Sequence, residues 1–173
     1  MDDTDLLLLG LLKMQAGHGY QINEFIERNL GRMAHIKRAT AYAILERLHQ
    51  EGYAAVRMEQ EGNRPPRKVF SITPAGEAHF LDLLRQSLTR RKSETGQSSI
   101  AFRFGLAFIT DLPRDEMRSV VAAWIQATED EITEFEAIPH HPMPGVHLML
   151  AHHLVLLRAE RDWLVGLLAS LKG

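Results

Sequence analysis

Most hydrophobic positions in the chain repeat with the spacing of an α-helix, and one short window repeats with the spacing of a β-strand. The clearest helical stripe lies in residues 37–52, where apolar side chains recur at i, i+3, i+4 and i+7. These positions are Ala41, Ile44, Leu45 and Leu48. Gly52 follows them, where a glycine commonly ends a helix. The stretch therefore predicts a helix with one buried face and a basic, hydroxyl-bearing first turn.

Two further helices are predicted before this stretch. Residues 5–14 are apolar nearly all round, which predicts a short helix covered on more than one side. A second subunit would be one such cover. Residues 20–29 predict the next helix, with Ile22, Phe25 and Ile26 facing inward. Three helices joined by short turns within the first fifty residues predict a helix-turn-helix arrangement.

The hydrophobic period changes after the third helix. Loose alternation in residues 53–59 and again in 67–72 predicts two strands, and the turn-rich residues 61–66 between them predict a β-hairpin. The candidate inward positions of the first strand are Tyr53, Ala55 and Met58. A three-helix core followed by such a hairpin is the winged-helix plan, in which the hairpin is the wing.

A long helix and a linker complete the first half of the chain. Thr73 is a good N-cap and Pro74 a good first helical residue, so we predict a helix from here to about Lys92. Residues 93–99 are polar and contain glycine and serine, which predicts a linker. We therefore predict a winged-helix DNA-binding domain, with the long helix that follows it, over residues 1–92.

Residues 100–173 are predicted to form an α-helical dimerisation domain. Residues 100–109 alternate like a strand, but no partner strand lies nearby in the sequence, which favours a helix. Two longer helices follow at about 112–137 and 146–171. Leucines in the last helix recur with heptad spacing, namely Leu150, Leu154, Leu157, Leu164, Leu168 and Leu171. This seam would pair two subunits or pack within an intramolecular bundle. The predicted fold is mainly α with a small β-hairpin wing.

Composition limits the classes of function. The 173 residues contain no cysteine, which excludes disulfides, thiol nucleophiles and cysteine zinc sites. No apolar run approaches the roughly 18–20 residues that span a bilayer. The first apolar run follows acidic residues, whereas a secretory signal begins with basic ones. We therefore expect a cytoplasmic protein that does not bind a membrane.

Positive charge is concentrated in one part of the chain. The net charge is −2. Residues 1–27 contain one basic and five acidic residues (−4), residues 28–68 nine basic and four acidic residues (+5), and residues 69–173 account for the remaining −3. A basic window of about forty residues is the local footprint expected of nucleic-acid binding. It covers the third predicted helix, the first strand of the wing, the turn and the start of the second strand.

Seven residues in the basic window are candidates for contacts with DNA. They are Lys37, Arg38, Thr40 and Tyr42 on the third helix and Arg64, Arg67 and Lys68 on the wing. Basic and hydroxyl side chains at a helix N-terminus suit base edges or phosphates, and the wing cations suit phosphates or the minor groove. The alternatives are a solvated helix start for Lys37 and Arg38 and an aromatic residue at the edge of the core for Tyr42.

Four stretches resemble, in order, the PadR family of bacterial transcriptional regulators. They are LLLLGLL at 6–12, HGYQINEFIE at 18–27, ATAYAILERLHQEGY at 39–53 and NRPPRKVFSITPAG at 63–76. The resemblance implies a winged-helix homodimer that binds operator DNA, mostly as a repressor. It also implies DNA contacts for Thr40 and Tyr42, although Ala39 and Ala41 replace a glycine and a leucine that are frequent in the family. Two copies of the third helix would enter major grooves roughly 34 Å apart, which implies a near-palindromic operator.

An effector site is also implied, because some family members release DNA on binding phenolic acids or other small aromatic or hydrophobic compounds. The candidate residues for such a pocket are Phe102, Phe108, Trp124 and Trp163. Ordinary core packing is the alternative for each of them. The sequence itself does not choose between the two.

Other functions have little support in the sequence. It contains no phosphate-binding loop, dinucleotide-binding, zinc-protease or serine-hydrolase motif, so we predict no enzyme and no cofactor. Histidines cluster at residues 140–153, but their spacing does not bring ligands together, so we predict no metal site. The alternative function is a dimeric winged-helix module that binds proteins and does not read DNA directly.

Overall fold

The computed structural model describes residues 3–18, 37–60, 66–89, 100–139 and 143–171. The elements in chain order are α1 (Asp3–His18), α2 (Arg38–Gln50), β1 (Ala54–Glu59), β2 (Arg67–Ile72), α3 (Pro74–Thr89), α4 (Ile100–Ala107), a 3-10 turn (Ile109–Asp111), α5 (Arg114–Glu136) and α6 (Pro144–Ser170). The helix predicted at 20–29 and the wing tip at 61–65 lie outside the described residues. The other predicted helices and both strands are confirmed.

The chain divides into two compact units, residues 1–111 and 112–173. This boundary lies one helix later than the linker predicted at 93–99. The reason is that α4 packs on α1 and α3 of the first unit, where its aromatic residues Phe102 and Phe104 are buried. The run of residues that alternates like a strand is therefore a short helix. This helix, α4, belongs to the first unit and not to the domain predicted over residues 100–173.

Helix α1 is the centre of the first unit. It contacts α2, β2, α3 and α4. All its leucines are buried, namely Leu6, Leu7, Leu8, Leu9, Leu11 and Leu12. At Gly10 an added Cβ would overlap the ring of Phe108, so a glycine is needed for this close approach. The all-round burial predicted for α1 is confirmed, and its cover comes from the same chain rather than requiring a second subunit.

Helix α2 is buried along one face and ends at a glycine. Its buried hydrophobic residues are Ala41, Ile44, Leu45 and Leu48. Gly52 has a φ of 84°, a conformation that glycine adopts without steric cost. Its N–H donates to the carbonyl of His49 at 3.0 Å. Both the apolar stripe and the glycine stop follow the prediction.

Strands β1 and β2 form an antiparallel hairpin whose register pairs Ala54 with Ile72 and Glu59 with Arg67. The inward face predicted for β1 is wrong, because Met58 is 62% exposed and Ala55 is also exposed. The hairpin packs on α1 through β2. The buried residues are Val69 and Phe70 on β2 and the small Ala54 on β1.

The start of α3 joins the hairpin to the end of α2. Thr73 Oγ1 accepts a hydrogen bond from the Gly76 N–H at 3.0 Å, which confirms the predicted N-cap. The same hydroxyl donates to the Gly52 carbonyl at 2.7 Å, and the Thr73 N–H donates to the Tyr53 carbonyl at 3.1 Å. A Cβ on Gly76 would overlap that carbonyl oxygen. This junction therefore tolerates no side chain at Gly76 without movement of the backbone.

An ion pair connects α1 to α2. Arg47 Nη2 donates to Asp5 Oδ1 at 2.5 Å, and Arg47 Nη1 donates to the two carboxylate oxygens of Glu51 at 3.1 and 3.0 Å. Burial would lower the pKa of Arg47, but the hydrogen bonds with Glu51 and Asp5 outweigh it and the pKa is raised above its usual value. The Asp5 side chain is only 8% exposed, so its charge needs this partner.

The second unit consists of α5 and α6 packed on each other. The buried residues of α5 recur at helical spacing and are Met117, Val121, Trp124, Thr128 and Ile132. Arg158 Nη2 donates to Glu136 Oε1 at 2.7 Å and joins the two helices at the surface. Within the described ranges of the chain, we find no helix with the length and apolar character needed to cross a bilayer.

The leucine seam of α6 is largely covered within one chain. Leu157 and Leu164 are 3% and 1% exposed. The other four seam residues, Leu150, Leu154, Leu168 and Leu171, are half-buried. The burial of Leu157 and Leu164 favours the intramolecular alternative for these two residues. The dimerisation role of the seam stays a prediction.

We expect Asp5→Asn to destabilise the protein by about 1–3 kcal/mol, because it replaces the charge-assisted hydrogen bond that Arg47 donates to this buried carboxylate with a weaker neutral one. Glu51→Gln is the matched control, since it removes the other acid on Arg47 from a site that is 42% exposed. That change should cost at most about 0.5 kcal/mol. Urea unfolding of the full chain measures both values. Equal midpoints for the two variants would contradict a structural role for the buried pair.

Candidate nucleic-acid interface

The N-terminal end of α2 lies at the surface of the first unit. Because its apolar face is buried, α2 leaves Lys37, Ala39 and Thr40 exposed and Tyr42 half-buried. Arg38 is the first residue of the helix, but its side chain lies outside the described part of the structure. The exposed lysine and threonine and the half-buried tyrosine lie within two turns, and such side chains can donate hydrogen bonds to phosphates or base edges.

The same helix end offers backbone donors. Lys37 occupies the N-cap position with φ −72° and ψ 146°, and its side chain makes no capping hydrogen bond. The first-turn N–H groups of a helix have no partner within the helix, and the helix dipole places partial positive charge beside them. Such an end can bind a phosphate group. The lysine side chain adds a full charge at the same place.

The wing contributes a lysine that is paired with α2. Lys68 Nζ donates to Glu46 Oε2 at 2.5 Å, and the two side chains are 49% and 38% exposed. The hydrogen bond from Lys68 holds the pKa of Glu46 below its usual value, with further electrostatic support from Lys68 and His49. Glu46 is therefore a carboxylate at neutral pH. Lys68 was predicted from the sequence as a DNA contact, whereas its partner Glu46 was not predicted.

The other predicted wing residues are described in part. Arg67 begins β2 opposite Glu59, but its side chain lies outside the described part, as does all of Arg64. Arg57 on β1 is exposed and pairs with Glu59 at 2.5 Å. Of the seven predicted DNA contacts, the structure describes the side chains of Lys37, Thr40, Tyr42 and Lys68, all in the first unit.

Two residues that position α2 were not predicted as functional. Arg47 binds the buried Asp5 and thereby ties α2 to α1. His49 Nδ1 lies 2.9 Å from the carbonyl oxygen of Ala54, at the start of β1. The spacing of Arg47 and Glu51 predicts a pair on one helix, but nothing local to the sequence links Arg47 with Asp5. These contacts hold the candidate interface in place and leave its N-terminal end exposed.

The four candidate effector residues are not gathered in one unit. Phe102 and Phe108 are buried in the first unit, where the ring of Phe108 packs edge-on against Phe80 with centroids 5.5 Å apart. Trp124 is buried in the second unit, and Trp163 is 53% exposed. A groove in the second unit is lined by Asp115, Arg118, Ser119, Ala122 and Leu168. None of the four aromatic residues lines that groove.

The histidine cluster does not form a metal site in the described part. Residues 140–142 lie outside the described residues. His153 Nε2 lies 3.4 Å from Glu131 Oε1, and its ring packs on Phe135 with centroids 4.4 Å apart. Among the residues that the structure describes, no group of three or more histidines and acids is placed to hold a metal ion. His153 thus joins the two helices of the second unit.

Comparison with known proteins matches part of the first unit to a protein family. Residues 8–82 match the family described as "Transcriptional regulator PadR-like family". These residues include part of α1, all of α2 and of the hairpin, and part of α3. Over 176 aligned residues the chain is 24% identical to the negative transcriptional regulator PadR of Bacillus subtilis strain 168, and the alignment covers 95% of this chain and 94% of that protein.

Solved structures give a similar range of identities. The structure of B. subtilis PadR in complex with operator DNA is 21% identical, with 99% of this chain and 98% of that chain covered and a TM-score of 0.43. The structure of B. subtilis PadR in complex with p-coumaric acid is 20% identical, with 100% and 99% covered and a TM-score of 0.39. Because these scores are below 0.5, we base the family assignment on the sequence match.

The matched family consists of transcriptional regulators, which agrees with the prediction that the chain is not an enzyme. The four stretches that resembled PadR regulators overlap the matched residues. The chain therefore carries, over residues 8–82, a domain of the PadR-like transcriptional regulator family.

Proposed function

We propose that this chain is a homodimeric, sequence-specific DNA-binding repressor that acts in the cytoplasm. The observation that carries the proposal is the placement of α2. Its apolar face is buried on α1 while its N-terminal end, with Lys37 and Thr40, remains exposed. A helix held in this way can enter a major groove with its leading end toward the bases. The negative regulator PadR of B. subtilis is similar to this chain over nearly its whole length, which favours repression over activation of transcription.

Phosphate contacts would come from the helix end and from the wing. In the proposed complex, the first turn of α2 and Lys37 bind one phosphate region. Arg64, Arg67 and Lys68 bind the phosphates or minor groove beside it. Thr40, Tyr42 and Arg38 are the proposed contacts to bases or to neighbouring phosphates. The local charge of +5 in residues 28–68 favours phosphate binding by this part of the protein, although the net charge of the chain is −2.

The proposed dimer forms through α6. This helix exposes large hydrophobic side chains, Leu148, Met149, Val155, Leu156 and Trp163, which we name the α6 strip. Three of these residues, Met149, Leu156 and Trp163, are spaced by seven positions, as in helices that pair. Exposed apolar patches of this kind commonly mark a contact with another protein. We propose that a second copy covers the strip.

We expect Arg64→Ala with Arg67→Ala to weaken binding to all DNA sequences. Loss of two phosphate contacts should flatten the slope of log affinity against log salt by up to about 1.8. Fluorescence anisotropy with DNA from the promoter of the protein's own gene, and with a scrambled duplex, measures both quantities. Arg85→Ala with Arg103→Ala is the control, because it removes the same charge from exposed sites on α3 and α4.

An unchanged affinity in the wing variant would remove the wing from the proposed interface. A wild-type protein that ignores every duplex at low ionic strength, yet binds a partner protein, would favour the alternative interaction module. The two results can be told apart. In the first the protein still binds DNA, through α2, whereas in the second it binds no DNA at all.

We expect Leu156→Glu to dissociate the dimer, because it would bury a carboxylate in an apolar contact. Val165→Glu is the matched control. Val165 is 48% exposed and Leu156 54% exposed, but helical spacing places Val165 on a different side of α6 from the strip. Light scattering should give about twice the chain mass of 19.6 kDa for wild type and control, and the single-chain mass for Leu156→Glu. A monomeric wild-type protein would overturn the proposed dimer.

We extend the proposal to release of DNA by a small aromatic or hydrophobic effector. One B. subtilis PadR structure contains p-coumaric acid, which belongs to this class of compound. A phenolic acid that displaces DNA should quench tryptophan fluorescence if it binds beside Trp124 or Trp163, and Trp124→Phe and Trp163→Phe identify the indole concerned. Displacement without a change in either emission would contradict the pocket assignment. Absence of displacement by a panel of phenolic acids would contradict the effector itself.

A further inference from the structure

Glu46 lies on the exposed side of α2 and binds the lysine of the wing. Its Oε2 accepts a hydrogen bond from Lys68 Nζ at 2.5 Å, which connects two elements 22 positions apart in sequence. Both side chains are substantially exposed, so screening by water keeps the contribution of the pair to stability small. A role in stability therefore does not account for the pair. The pair matters more for the charge of this surface than for stability. Glu46 offsets the positive charge of Lys68 at the candidate interface with phosphate.

Two neighbouring basic side chains are directed elsewhere. Arg47 binds Asp5 and Glu51. His49 Nδ1 faces the carbonyl oxygen of Ala54. Among the side chains that the structure describes, Lys68 is therefore the cation that Glu46 holds by a hydrogen bond.

Lys68 cannot bind Glu46 and a DNA phosphate at full strength together. An ammonium group that already contacts a carboxylate is neutralised, so its contact with phosphate displaces fewer counterions. If Lys68 leaves for the phosphate, the carboxylate of Glu46 stays near the DNA without a partner, and like charges repel. In both cases Glu46 reduces the electrostatic gain on binding.

We propose that Glu46 weakens sequence-independent DNA binding by competing with phosphate for Lys68. The inference rests on the proposed function, since it requires α2 and the wing to meet DNA together. Phosphate contacts supply nearly all of the affinity for random sequence, so this affinity is the quantity on which Glu46 acts. Glu46 thereby sets how readily the interface leaves DNA as ionic strength rises.

The test measures binding of the full chain to a random-sequence duplex by fluorescence anisotropy. Glu46→Gln should tighten binding by about three- to tenfold at about 50 mM salt and steepen the slope of log affinity against log salt by about 0.9, one phosphate contact. Because the pair is exposed, the variant should fold as the wild type does, which thermal unfolding followed by circular dichroism checks.

A double-mutant cycle shows whether the gain depends on Lys68. In a Lys68→Gln background, Glu46→Gln should change the affinity by less than about twofold, since no lysine remains to be released. Asp82→Asn is the matched control, because Asp82 also pairs with an exposed basic side chain, that of Arg85, at 3.7 Å. Like Glu46→Gln, it removes one negative charge, but from α3. It should change the affinity for DNA by less than about twofold.

Three results would overturn the inference. Unchanged or weaker binding by Glu46→Gln is the first. A gain of the same size in the Lys68→Gln background or in Asp82→Asn is the second, because it would reflect net charge alone. The third is a wild-type protein that binds neither the random duplex nor its own promoter at low ionic strength. That third result would overturn the proposed function as well, whereas the first two leave it standing.

Discussion

Burial of α1 on all sides is the constraint on which the first unit depends. Its leucines contact α2, β2, α3 and α4, and the attraction they supply is proportional to apolar area and has no direction. Direction comes from polar contacts along the helix. Asp5 pairs with Arg47 of α2 near one end, and Lys13 pairs with Asp111 further along. The leucines hold the elements together, and these ion pairs select how the elements are oriented.

That orientation makes the end of α2 and the wing parts of one framework. Helix α2 is buried along one face and contacts α1 and β1, while residues 37, 39 and 40 at its start are exposed. The Thr73 hydroxyl bridges the carbonyl of Gly52 and the N–H of Gly76, which ties the end of α2 to the start of α3, immediately after β2. The basic residues on α2 and β2 are therefore positioned by the same core. Their local charge, rather than the net charge of the chain, governs attraction to phosphate.

The sequence predicted what is decided locally and missed what is decided by distant partners. Gly52 and the Thr73 cap depend on residues a few positions away, and the structure contains both. The partners of Arg47 and Lys68 lie 42 and 22 positions away, so no spacing rule identifies them. Met58 shows the same limit. It was predicted to face inward from alternation in β1 and lies on the same face as the buried Ala54, but it is near the tip of the hairpin, opposite the exposed Lys68, and is itself exposed.

The apolar pattern of α6 shows why a heptad repeat does not identify the partner helix. Leu156 and Leu157 are adjacent in sequence, and each begins a seven-residue repeat, to Trp163 and to Leu164 respectively. Neighbouring positions on a helix point about 100° apart, so the two repeats lie on different sides. Leu157 and Leu164 are buried within the chain, whereas Leu156 and Trp163 are exposed. An apolar surface wider than one partner can cover has room for two helices, and the packing of α5 decides which side is left exposed.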